Sequence, residues 1–166
     1  MTKKNPSPKS ITLSRKELCG IAGGAQTTLK GIKTKHDLEQ YLRNNGFITA
    51  ETDMTTVVSD WNQLTNDDLR GRNIILGTSG NDTITGTGTR DIIIGFGGDD
   101  TIKGGAGDDR IYGGAGNDTI MGGEGDDLIM GNDGDDNIKS GAGNDHVLGG
   151  KGNDSLDGEE GNDLLK

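Results

Sequence analysis

Residues 104–130 read GGAGDDRIYGGAGNDTIMGGEGDDLIM, close to one nine-residue phrase said three times. The phrase runs on in both directions: from Gly77 the sequence divides into ten nonapeptides that end at Lys166. Position one is Gly except at Ser140, position four is Gly except at Thr89, and position five is Asn or Asp except at Arg90. Position six is Asp in all ten, at Asp82, Asp91, Asp100, Asp109, Asp118, Asp127, Asp136, Asp145, Asp154 and Asp163. Position eight is always aliphatic, from Ile84 and Ile93 to Leu156 and Leu165. A degenerate eleventh copy at 68–76 keeps Gly71, Asn73 and Ile75 in phase.

Each position answers a physical need. Tight turns require backbone angles that glycine alone adopts cheaply. Glycine also lets carbonyl oxygens converge with no Cβ in the way, and the turn glycines such as Gly98, Gly105, Gly107, Gly114, Gly116, Gly123 and Gly125 supply such carbonyls. One carboxylate per turn, fixed among those oxygens, makes a hard-oxygen cage of the kind that suits Ca²⁺ better than Mg²⁺. The aliphatic residue with its two neighbours reads as a short strand with one side chain pointing inward.

The pattern, GGxGxDxUx with U aliphatic, resembles the RTX, or haemolysin-type calcium-binding, repeat family. The resemblance covers residues 77–166. It implies an all-β solenoid, a right-handed parallel β-roll of about five coils, each built from two nonapeptides. Stacking at eighteen residues then aligns Asp82, Asp100, Asp118, Asp136 and Asp154 on one edge, and Asp91, Asp109, Asp127, Asp145 and Asp163 on the other. The gaps between stacked turns hold at most about eight Ca²⁺ ions, and sites touching 86–94 are expected to be weaker because of Thr89 and Arg90. One aliphatic side chain per nine residues is little burial to set against the ordering of nine backbones. Calcium is therefore expected to be obligatory for folding, with the roll unfolded where calcium is scarce.

Composition agrees. Residues 1–76 carry 11 Lys+Arg and 8 Asp+Glu, whereas 77–166 carry 6 and 19, with 25 of the 31 glycines. The acidic half repels nucleic acid and attracts cations. No apolar run reaches the about 18 residues of a transmembrane segment.

Residues 13–24, LSRKELCGIAGG, resemble the double-glycine leaders, of form LSxxELxxIxGG, carried by bacteriocins and related exported peptides. Leu13, Ser14, Glu17, Leu18, Ile21, Gly23 and Gly24 match its defined places. The resemblance implies recognition by a peptidase-containing ABC transporter, cleavage after Gly24, and a mature chain that begins at Ala25 without Cys19. The sequence stops on the last residue of a repeat, so an export signal at the front rather than after the repeats is expected. The chain then divides into a leader at 1–24, a small helical cap segment at 25–67 and a roll at 68–166. The expected location is extracellular, secreted from a bacterium.

Between leader and roll, Thr34 followed by KHDLEQYLRNN and Gly46 predicts a helix with Leu38, Tyr41 and Leu42 on its apolar face. Val57, Trp61 and Leu64 suggest a second helix at about 54–64, with TTVVS as a strand instead. This segment is expected to dock on the roll. The outward positions of one sheet, which include Ile92, Tyr112, Leu128, Met130 and Leu148, form an apolar stripe. Such a stripe marks a covered surface or an interface. Either the 34–64 helices cover it or it mediates self-association. Neither His36 nor His146 has a nucleophile nearby in a readable motif, and no enzyme is expected. The function expected is a structural or binding role at the surface or in the matrix; the alternative is a secreted bacteriocin-like or toxin-like effector whose activity lies in 25–76.

Overall fold

In the computed structural model, residues 26–166 are described. The leader with its cleavage point at Gly23, Gly24 and Ala25 lies outside the described residues. Three short elements precede the repeats: β1 (Thr27–Leu29), α1 (Lys35–Asn44) and α2 (Asn66–Leu69), with a 3₁₀ turn at Met54–Thr56. The roll follows as β2 (Asn73–Leu76), β3 (Thr83–Thr85), β4 (Asp91–Gly97), β5 (Thr101–Ala106), β6 (Arg110–Ala115), β7 (Thr119–Glu124), β8 (Leu128–Asp133), β9 (Asn137–Ala142), β10 (His146–Lys151), β11 (Ser155–Glu160) and β12 (Leu164–Leu165).

Successive strands fall alternately into two sheets, one ordered β1-β2-β4-β6-β8-β10-β12 and the other β3-β5-β7-β9-β11. All pairs within the roll are parallel, and partners are eighteen residues apart: Ile93 faces Ile111, Ile111 faces Ile129, and Ile84 faces Ile102. The position-eight side chains point between the sheets. Ile75, Ile84, Ile93, Ile102, Ile111, Ile120, Ile129, Ile138 and Val147 form one fully buried file. The strands are longer than the three residues expected. Pairing continues through positions one to three, as in Gly105 with Gly123, because bare glycines let the coils approach closely.

The outer face of the larger sheet is covered by the chain's own N-terminal segment. Leu38, Tyr41 and Leu42 of α1 join Leu29, Val58, Leu64 and Leu69 in one cluster with Ile92, Ile94, Tyr112 and Met130 of the roll. Of the two readings of that stripe, cover by the chain's own N-terminal segment is the one the structure shows. Ile92 and Tyr112 are 0% exposed and Met130 7%, so they are already spent on intramolecular burial. Leu128 and Leu148 pack at its rim, partly buried. Polar contacts pin the cover down. Arg110 reaches Asp60 at 2.6 Å and Asp68 at 3.1 Å, and the Tyr112 hydroxyl donates to Asp60 at 2.6 Å.

α1 forms where expected, with the Thr34 side chain accepting from the N–H of Asp37 at 3.1 Å and Gly46 at φ 77°. The helix expected at 54–64 is absent. Asp53 caps a single 3₁₀ turn, and the run Thr55-Thr56-Val57-Val58, which begins within it, consists of β-branched side chains that resist continuation as a helix. Val57 and Leu64 are nevertheless buried, which is what their spacing reported. β1 pairs antiparallel with β2 and closes that sheet edge, while Gln26 exchanges two hydrogen bonds, 3.1 and 2.7 Å, with Thr85 on the other sheet. Among the described residues no helix is long and apolar enough to cross a membrane.

Candidate calcium-binding turns

The turns between sheets are tight because positions two and four take left-handed angles, as at Gly105 (φ 116°) and Gly107 (φ 110°). Position one is glycine for a different reason. A Cβ on Gly104 would stand 2.7 Å from Oδ2 of Asp109, and one on Gly113 would stand 2.8 Å from the carbonyl oxygen of Gly131. The bare backbone is what admits the carboxylate between the coils.

The aspartates make two ladders. On one edge the N–H groups of Asp82, Asp100 and Asp118 each donate to Oδ1 of the aspartate one coil on at 2.8 Å, and Asp136 donates to Asp154 at 3.0 Å. On the other edge Asp91, Asp109 and Asp127 do the same at 2.8 Å, and Asp145 donates to Asp163 at 3.0 Å. Position five builds a further ladder in the opposite sense: Asp99 donates to Asn81, Asn117 to Asp99 and Asp135 to Asn117, each at 2.9 Å. Sequence reading recorded the Asn/Asp preference there without its role. The signal was an acceptor at fixed spacing, interrupted by Arg90, which has none to offer.

One oxygen of each inner carboxylate is left over. Oδ2 of Asp100, Asp109, Asp118, Asp127, Asp136 and Asp145 is buried and has no hydrogen-bond partner. An ionised carboxylate in that condition is costly. Burial, aided by the charge of stacked neighbours and opposed by the donated backbone N–H, pushes Asp100, Asp109, Asp118 and Asp127 up to about 7. Asp136 is raised as well, burial again the largest cause. A column of buried oxygens short of positive charge fits a cation. Among the described residues no three Asp, Glu, His or Cys side chains converge on one point. The carboxylate oxygens and turn carbonyls available there are hard oxygen throughout, the kind of donor that suits calcium.

The ten aspartates stand in the two columns anticipated, and Gly98, Gly105, Gly107, Gly114, Gly116, Gly123 and Gly125 all occupy left-handed turn positions. Asp82 and Asp91 differ from the rest. Their Oδ2 atoms accept from the N–H of Thr78 at 2.5 Å and of Thr87 at 2.6 Å. Asp154 and Asp163, in the last coil, are half-buried.

Two columns of buried acidic turns on a parallel two-sheet roll define a calcium-binding β-roll. The family model for the RTX calcium-binding nonapeptide repeat, in its four-copy form, matches residues 67–95, 94–129 and 130–165, and the chain belongs to that family. No curated protein and no solved structure matches the chain.

Proposed function

We propose that this chain is an exported protein whose roll stays unfolded while calcium is scarce and folds on Ca²⁺ outside a bacterial cell. There it has a structural or binding role at the surface or in the matrix. The observation that carries the reading is the set of six buried, unpartnered carboxylate oxygens. Without a cation each is an uncompensated buried charge, and the roll has little apolar burial to offset it. Extracellular calcium sites bind at about 10⁻⁴–10⁻³ M, which separates the low calcium of a cytosol from the medium outside. The route proposed is a peptidase-containing ABC transporter that cuts between Gly24 and Ala25. The effector alternative has less support, because the apolar residues of 26–76 are committed to covering the roll.

Sedimentation velocity on the full chain tests the folding step. An expanded species in chelator and a compact one in a few millimolar Ca²⁺ are expected; the same sedimentation coefficient in both sinks the reading. N-terminal sequencing of chain recovered from culture medium tests the route, with Ala25 as the expected first residue and an intact Met1 end as the result against it.

A further inference from the structure

The turns at the N-terminal end of the roll are built differently from those that follow. In turn 86–91 the sequence places Thr87 and Thr89 where later turns have left-handed glycines, and neither takes a positive φ. The Asp91 carboxylate, fully buried, is satisfied at both oxygens. Oδ1 accepts from Asn73 Nδ2 at 2.7 Å and from the Thr87 hydroxyl at 3.0 Å, and Oδ2 accepts from the Thr87 N–H at 2.6 Å. Turn 77–82 follows the same plan: Oδ2 of Asp82 accepts from both the N–H and the hydroxyl of Thr78, at 2.5 and 2.9 Å. Asn73, at position six of the degenerate copy, is an amide where the others are carboxylates.

A fixed cation completes the arrangement. Nη1 of Arg72 donates to the carbonyl oxygen of Asp91 at 3.1 Å and also to that of Asp108. These carbonyls belong to successive coils on one edge, so a guanidinium bridges them; burial and the charges of Arg90 and Arg110 lower its pKa, and the carboxylates of Asp109 and Asp68 oppose that shift. In the coils beyond, Asp100, Asp109, Asp118, Asp127, Asp136 and Asp145 keep their orphaned oxygens.

We propose that turns 77–82 and 86–91 are calcium-independent, with Thr78, Thr87, Asn73 and the Arg72 guanidinium in place of ions. This end, held by the cover at 26–76, stays folded when calcium is withdrawn and is the template on which the coils from 95 onward fold. The proposal rests on the calcium reading for those later coils. It lowers the ion count: of eight gaps between stacked aspartates, the two that start from Asp82 and Asp91 are closed, leaving six.

Hydrogen exchange by mass spectrometry on the full chain, in chelator and in Ca²⁺, tests it. In chelator, α1 and β2 retain protection while β7 to β11 exchange freely, and Ca²⁺ protects the latter. If α1 and β2 exchange in chelator as fast as β9, this proposal falls and the calcium reading stands. If β7 to β11 stay protected in chelator, both fall together. Native mass spectrometry at saturating Ca²⁺ should count no more than six ions; seven or eight overturn the assignment. Arg72→Met should speed exchange of β2 in chelator by about tenfold or more, the worth of a hydrogen bond from a charged donor. Calcium-dependent protection of β9 to β11 should survive the change. Unchanged β2 exchange would remove Arg72 from the role.

Discussion

Replacement of Ile120 by Ala reports how many ions the roll folds with. Ile120 is 0% exposed and stands in register between Ile102 and Ile138, in the buried cluster of position-eight side chains from both sheets. Truncation leaves a cavity in this packed cluster and should cost about 3 kcal/mol. If folding is coupled to calcium, that cost is recovered by raising calcium, and the shift in midpoint depends on the number of ions bound in one cooperative step. Shared over six ions it is about 0.5 kcal/mol for each, a midpoint only about twofold higher. Carried by one ion it is about 150-fold higher. A calcium titration followed by circular dichroism, wild type beside Ile120→Ala, reads the difference directly. A shift of about twofold with an equally steep transition is expected. A shift near 150-fold shows that the coils bind ions one at a time, and no shift at all shows that calcium binding is not linked to closure of the roll.

Other outcomes follow from the same contacts. Asp100, Asp109, Asp118 and Asp127 titrate near 7 in the folded roll against 3.8 for an ordinary aspartate, so the folded state holds more protons between those values. In chelator, β structure should therefore be greater at pH 5 than at pH 8, being lost as pH rises through about 7. β structure in chelator that does not change between pH 5 and pH 8 contradicts this. Tyr112→Phe removes a 2.6 Å bond to Asp60 and should cost about 1.5–3 kcal/mol, seen as a lower Tm of the calcium-loaded chain; an unchanged Tm means the cover does not depend on it. Gly114, at φ 124°, stacks on the Phe96 carbonyl, whereas a Cβ on Gly97 meets its nearest neighbour at 3.5 Å. Gly114→Ala should lower stability by about 1–3 kcal/mol and Gly97→Ala by much less; equal losses in denaturant unfolding would refute the strain argument.

The coils were legible because their information is local and periodic. The nine-residue register was open in the residues themselves, the stacking at eighteen was what the family resemblance implied, and the pairing of Ile93 with Ile111 shows that stacking. α1 was legible for the opposite reason, a short segment with its own cap at Thr34 and its own stripe. The stretch from 54 to 64 misled because Val57, Trp61 and Leu64 are spaced as burial requires, yet Val58 between them is buried too, and burial on successive residues belongs to a wrapped turn. α2 carried a readable signal in Thr65 and Asp68, which form a capping box, but four residues are too few for periodicity to register. β1 had no local signal. Its three residues are a strand only because β2 leaves an edge to be closed. The special status of Asp91 depended on where the Thr87 hydroxyl and the Asn73 amide would point, and that is a tertiary fact.

Three of the five residues that replace glycine at position two keep its left-handed backbone, and two of them join the roll to its cover. Phe96, Asn132 and Glu159 hold positive φ values of 77°, 82° and 59° without being glycine. Each such residue costs about 1–3 kcal/mol unless its surroundings enforce it. Each makes a contact glycine could not. Phe96 stacks on Phe47 with ring centroids 5.4 Å apart, Asn132 accepts from the hydroxyl of Ser59, and Glu159 pairs with Lys139 at 2.9 Å. Phe96 and Asn132 end β4 and β8 on the covered sheet, and their partners belong to the cover. The turns that begin there lead into Asp100 and Asp136, two of the carboxylates with an orphaned oxygen. The grip of the cover and the geometry of the calcium turns thus share the same backbone. Loosening either one at Phe96 should be felt by the other.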